Sequence, residues 1–156
     1  MIDKTILTVE GHDELIKEIQ NRKVNIRKQI ADDIEKARQQ GDLSENASYK
    51  ASMEEKEFNE TKIENLERML ANSVVQTKSK SKAGLVQLGS VIDVKDLNSN
   101  TNRTYKIVGE NESNPAEGKI SVKSPLGSLL IGNPKDAVLE LITPVGKSKL
   151  QILSVK

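Results

Sequence analysis

Residues Arg38–Lys50 read "RQQGDLSENASYK". A lone glycine, Gly41, precedes two carboxylates, Asp42 and Glu45, that stand three residues apart. Long, heavily charged sequence with helical periodicity flanks the stretch on both sides. If it is a turn between two helices, it sets the architecture of the whole N-terminal half.

Upstream, Thr8 is placed to start a helix and Gly41 to end it. Between them Leu15, Ile19, Ile26, Ile30, Ile34 and Ala37 recur at steps of three, four or seven. They form one narrow apolar stripe, interrupted by Arg22, on a helix otherwise covered in charge. Downstream, a second helix is expected from about Glu45 to Asn72. Its stripe is read as Ala47, Ala51, Phe58, Leu66 and Leu70, with Ile63 and Met69 at the edge and a polar stretch at Glu54–Glu57. Two such stripes joined by a few residues fold back on each other. Each helix of roughly thirty residues spans about 45 Å, giving a finger with residues 41–46 at its far end.

Beyond Asn72 the pattern changes. "SVVQTKSKSKAG" is polar and basic, as a linker is. Short β-branched and aliphatic runs follow at Ser90–Val94, Thr104–Val108, Lys119–Val122, Ala137–Ile142 and Lys149–Val155, separated by Gly- and Asn-rich clusters. "SPLGSLLIGN" breaks that rhythm, and Ser124-Pro125 is placed to start a short helix. The expected fold class is α+β. A helical hairpin (residues 1–76) and a linker (77–83) lead into a small, mostly antiparallel sheet with one helix against it (84–156). Charge divides in the same way: 12 basic against 16 acidic residues through Gln76, and 12 against 7 beyond it.

Composition excludes several functions. There is no cysteine, hence no disulfide, thiolate metal site or cysteine nucleophile. Tyr49, Phe58 and Tyr105 are the only aromatic residues, too few for a pocket that stacks bases on several rings. Neither half carries the dense basic patch of a protein that grips nucleic acid unaided. The start lacks the basic and apolar runs of a signal peptide, and no stretch approaches membrane-spanning length. A soluble cytoplasmic protein, and a monomer, is expected.

The tip reads in two ways. Asp42 as N-cap with Glu45 at the third helical position makes a capping box, Asp replacing the usual Ser or Thr. Alternatively, two carboxylates on the end of a rod supply part of a Mg²⁺ site, an ion commonly held by one or two carboxylates plus waters and phosphates. Each carboxylate has two oxygens, so the readings are compatible.

The segment "ARQQGDLSENASYKASMEEKEFNETKIENLERML" resembles the tip and second helix of bacterial transcript-cleavage factors of the GreA/GreB family. Its specific core is Gly41-Asp42-Leu43-Ser44-Glu45-Asn46-Ala47 followed by Tyr49. "LTVEGHDELIKEI", "YKIVG", "ISVKSPLGSLLIG" and "TPVGKSKLQILSV" extend the resemblance over nearly the whole chain, with Leu43 closer to the GreA branch. The resemblance implies a coiled coil that enters the secondary channel of RNA polymerase and an FKBP-like C-terminal domain that docks on its rim. It implies that Asp42 and Glu45 help hold a catalytic Mg²⁺, kept mainly by the polymerase, for cutting backtracked RNA at its 3′ end. The factor activates the polymerase's own cleavage and is not itself the nuclease. The segment Ser124, Pro125, Leu126 and Gly127 is implied in docking. Ser48, Lys50, Glu57 and Thr61 depart from the residues usual in the family.

Other candidates have simpler roles. His12, the only histidine, is expected on the surface near a helix start. Phe58 is expected in the core, and Tyr49 one turn from the acids. Arg38 is the best placed of the basic residues for a phosphate contact with RNA. Two rival functions were set beside the first. A channel-binding inhibitor of the same superfamily is opposed by the intact Asp42/Glu45 pair. A prolyl isomerase rests on fold analogy alone and lacks an aromatic pocket.

Overall fold

The computed structural model describes residues 4–42 and 45–156. Leu43 and Ser44 of the tip motif lie outside the described residues. The chain divides into two compact units, His12–Asn72 and the chain up to Gly11 together with Ser73–Lys156.

The helical unit is a hairpin, as the turn motif predicts. Its first arm is a continuous rod made of α1 (Val9–Asn21), a π turn at Arg22–Ile26 and α2 (Arg27–Arg38). Its second arm is α3 (Ala47–Ala71), about 38 Å long at about 1.5 Å per residue. On the first arm the expected stripe holds: Leu15, Ile19, Ile30 and Ala37 are buried, and Ile26 and Ile34 are half-buried. On α3 the expected stripe is out of phase along its first half. The inward positions are Tyr49, Ser52, Asn59, Ile63, Leu66 and Leu70, and Ala47 and Ala51 are exposed. Phe58, expected in the core, is 67% exposed. The true seam keeps a strict three-four alternation, and Phe58 falls one residue off it. Two of the seam positions, Ser52 and Asn59, are polar, which is why hydrophobicity alone selected the wrong face.

The second unit takes in two strands that the compositional division at Gln76 placed with the helices. Thr5–Leu7 (β1) and Ser73–Val75 (β2) pair in parallel, Thr5 opposite Ser73 and Leu7 opposite Val75. Leu7 is buried, and its carbonyl accepts from the Gln76 N–H at 2.9 Å. The helical hairpin is thus the crossover between two parallel strands, which need a long connection. Thr8 caps α1 as expected, its Oγ1 accepting from Gly11 N–H at 3.0 Å.

The main sheet is built from β3 (Val91–Asp96), β4 (Thr101–Val108), β5 (Lys119–Ser121), β6 (Val138–Thr143) and β7 (Gly146–Val155), in the order β5-β4-β3-β7-β6. Three ladders are antiparallel, but β4 and β5 run parallel, so the sheet is mixed. The segment between them crosses over through two short 3₁₀ turns, where a hairpin was expected. Alternation sends Ile92, Val94, Leu150 and Ile152 to the core with Ile107 and Ile120. The helix α4 (Pro125–Leu130) closes that face through Leu130, which is fully buried. Among the described residues no helix is long and apolar enough to cross a membrane.

Candidate functional site

The hairpin tip is closed by a residue that the capping-box reading passed over. Asn46 is the N-cap of α3: its Oδ1 accepts from Tyr49 N–H at 3.0 Å. Its Nδ2 donates to the Ala37 carbonyl in the last turn of α2, so one side chain starts one helix and ties off the other. The expected capping box is therefore corrected. Asp42 is not the N-cap, and Glu45 lies before the cap, outside the helix. The C-cap of α2 is Gln39, and Gly41 follows two residues later in a left-handed conformation (φ 123°).

Asp42 and Glu45 are both exposed at this turn, and Arg38, in the final turn of α2, is exposed beside them in sequence. Asn46 supplies the cap on Tyr49 N–H, the role that the capping-box reading gave to Asp42. Tyr49 is half-buried on the seam.

The segment Ser124–Gly127 forms the start of α4. Ser124 Oγ accepts from Gly127 N–H at 3.0 Å and donates to the Ser121 carbonyl at 2.7 Å. Gly127 is buried, and a Cβ there would lie 2.0 Å from the Ser121 carbonyl oxygen, so this position packs the backbone and presents no side chain. Pro125 is exposed and Leu126 half-buried. They border an open groove of about 310 Å³ whose far wall is the β6–β7 hairpin, with Leu141, Ile142, Thr143 and Pro144. Ile142, which lines the groove with Pro125 and Leu126, is 73% exposed, and Val145 in the β6–β7 turn is 97% exposed. A second groove, of about 170 Å³, shares Leu126 and Leu141 and has Tyr105 as its one aromatic ring, beside Asp96 and Arg103.

Family models match along both units: the N-terminal model of the transcription elongation factors over residues 5–75, and the GreA/GreB C-terminal model over residues 80–156. The chain belongs to the GreA/GreB family of transcription elongation factors. Its relatives include proteins named transcription elongation factor GreA. That of Lachnoclostridium phytofermentans is 40% identical over 153 residues, 98% of this chain and 96% of the relative. That of Clostridioides difficile is 40% identical over 151 residues (97% and 95%). That of Chloroherpeton thalassium is 36% identical over 156 residues (100% and 99%). A solved structure of the transcription factor Gfh1 aligns over 99% of both chains with a TM-score of 0.46 at 24% identity.

Among the described residues no three His, Asp or Glu side chains gather to hold an ion. Two exposed carboxylates fit an ion that takes its remaining oxygens from water, phosphate and another protein. Sequence reasoning placed both acids at the turn, where they are exposed, and missed Asn46 as the cap, although "SEN" before "ASYK" put a preferred capping residue one position after Glu45. It did not single out the exposed apolar residues of the β6–β7 turn "LITPVGK".

Proposed function

We propose that this protein binds RNA polymerase, inserts its hairpin into the secondary channel and stimulates the polymerase's own cleavage of backtracked RNA. The observation that carries this reading is the separation of roles at the tip. Asn46 holds the turn, leaving Asp42 and Glu45 exposed at the end of a narrow rod.

In this reading the two carboxylates complete a site whose other ligands belong to the polymerase and the RNA phosphate. A magnesium ion held there would supply Lewis-acid chemistry for the hydrolysis. Asp42 and Glu45 would help hold the ion through their carboxylate oxygens, contributing negative charge to the site. Arg38 lies on the same end of the hairpin to pair with an RNA phosphate. The groove between α4 and the β6–β7 hairpin supplies the docking face, with Pro125, Leu126 and Ile142 as apolar contacts.

The test is a cleavage assay on stalled, backtracked elongation complexes from a bacterial polymerase. The native chain is expected to shorten the RNA from its 3′ end. Asp42→Asn and Glu45→Gln are each expected to lower the maximal rate at least a hundredfold, in the range for lost transition-state electrostatics. Their half-saturating concentrations should stay as in the native chain. Normal cleavage by both variants would remove the metal role. A native chain that binds and only blocks the polymerase would make it a channel-binding inhibitor.

A further inference from the structure

The first arm of the hairpin contains one residue too many for its partner. On α3 the inward positions Tyr49, Ser52, Asn59, Ile63, Leu66 and Leu70 keep a three-four register, with the exposed Lys56 at the step between Ser52 and Asn59. On the first arm Leu15, Ile19, Arg22 and Ile26 do the same, but the next inward residue is Ile30, one position late. The π turn lies at this point. Arg27 N–H donates to the Arg22 carbonyl five residues back, a wider turn that absorbs a single extra residue. Closing the turn into an α-helix would rotate everything beyond it by about 100°, one residue's share of a helical turn.

A buried amide sits over this turn. Asn59, 2% exposed, donates from Nδ2 to the same Arg22 carbonyl at 3.2 Å, and its Oδ1 accepts from Arg22 Nη1 at 3.2 Å. Arg22 Nε is held in turn by Glu18 Oε1 at 2.7 Å. A buried polar residue at a coiled-coil seam position costs stability and specifies register. Here it binds the same carbonyl that accepts the five-back bond from Arg27 N–H. Tip-ward of this point α3 packs closely on α2.

We propose that the Arg22–Asn59 clasp over the π turn is a positioning device that fixes the rotational phase of the hairpin tip, and with it the direction in which Asp42 and Glu45 face. Its consequence for activity rests on the cleavage reading above. Asn59 and Arg22 are positioning residues, remote in sequence from the tip acids.

Asn59→Leu tests it, because leucine at a seam position supplies apolar burial and keeps the hairpin folded while removing the register signal. The maximal cleavage rate is expected to fall about tenfold, with half-saturating concentration and thermal midpoint no worse than native. Arg22→Met removes the clasp from the other side and should give the same result. A maximal rate that is unchanged, or that falls only in step with the melting temperature, overturns the proposal. A second readout is independent of cleavage. The chain has no cysteine, so spin labels can be attached at Asp32→Cys and Glu55→Cys alone. The native background should give one narrow distance, and the Asn59→Leu background a second population. One unchanged distance in both overturns the phasing whatever the cleavage result. A native chain that fails to cleave overturns the cleavage reading, and the distances then decide the phasing separately.

Discussion

Asn46 concentrates two jobs in one side chain, and its loss separates them from the acids it supports. Asn46→Ala removes the cap on Tyr49 N–H and leaves the Ala37 carbonyl without its amide donor. A lost cap alone costs about 1 kcal/mol, and the second bond adds about another. The expected result is an earlier thermal transition together with a reduced maximal cleavage rate, since the turn carrying Asp42 and Glu45 loosens. Asn46→Asp keeps the acceptor and should recover part of the stability. Both effects are read by circular dichroism melting and the cleavage assay. The acids themselves were legible in the sequence because carboxylates at a turn between helices are few and their spacing is plain. Their structural role was misassigned because Asp42, Glu45 and Asn46 are all competent at a helix start, and only the backbone decides which of them caps.

At the scale of elements, two devices act across long sequence separations. The first turn of α1 has a capping arrangement whose acid comes from 104 residues away: Glu112 Oε2 accepts from Thr8 N–H at 3.0 Å and from Gly109 N–H at 3.2 Å. In a local capping box that acid would stand at position 11. Glycine is there instead, and a Cβ on Gly11 would lie 1.9 Å from Glu112 Oε1. Glu112→Ala should therefore destabilise the sheet-bearing unit by about 1–3 kcal/mol, the cost of orphaned donors, measurable by urea unfolding. On β3, Asp93 accepts from Thr104 Oγ1 at 2.6 Å and Ser154 Oγ at 2.8 Å, and these two bonds hold its carboxyl below the usual range. A depressed carboxyl stabilises the fold above its unfolded pKa, about 4, and that contribution is lost as pH falls through the folded value. Asp93→Asn should flatten the acid side of the stability–pH curve and leave its neutral-to-basic side parallel to native, as measured by thermal melts across pH. Neither device was legible, because each joins residues that no periodicity links. The same limit hid β1 and β2, whose three-residue runs pair only after the hairpin has brought them together. Elements whose pattern is local, such as the first arm's stripe and α4 behind Ser124-Pro125, were read correctly.

At the scale of the whole molecule, the proposed function puts affinity and chemistry in different units, and that division has a kinetic signature. The carboxylates belong to the helical unit, whereas the groove residues Pro125, Leu126 and Ile142 belong to the sheet-bearing unit. Ile142 is suited to a test because its side chain is largely in solvent, so a polar substitution leaves the core intact. Ile142→Asp places a charge on the proposed docking face. It is expected to raise the half-saturating concentration for cleavage about tenfold or more, as loss of a central apolar contact does. The maximal rate at saturation should stay native. Asp42→Asn should do the reverse, lowering the maximal rate at an unchanged half-saturating concentration. Because the two sites act at separate steps, the double variant should show both defects at full size, their free energies adding. If instead Ile142→Asp lowers the maximal rate without shifting half-saturation, that groove is not the docking face, and the polymerase-binding surface has to be sought elsewhere on the sheet-bearing unit.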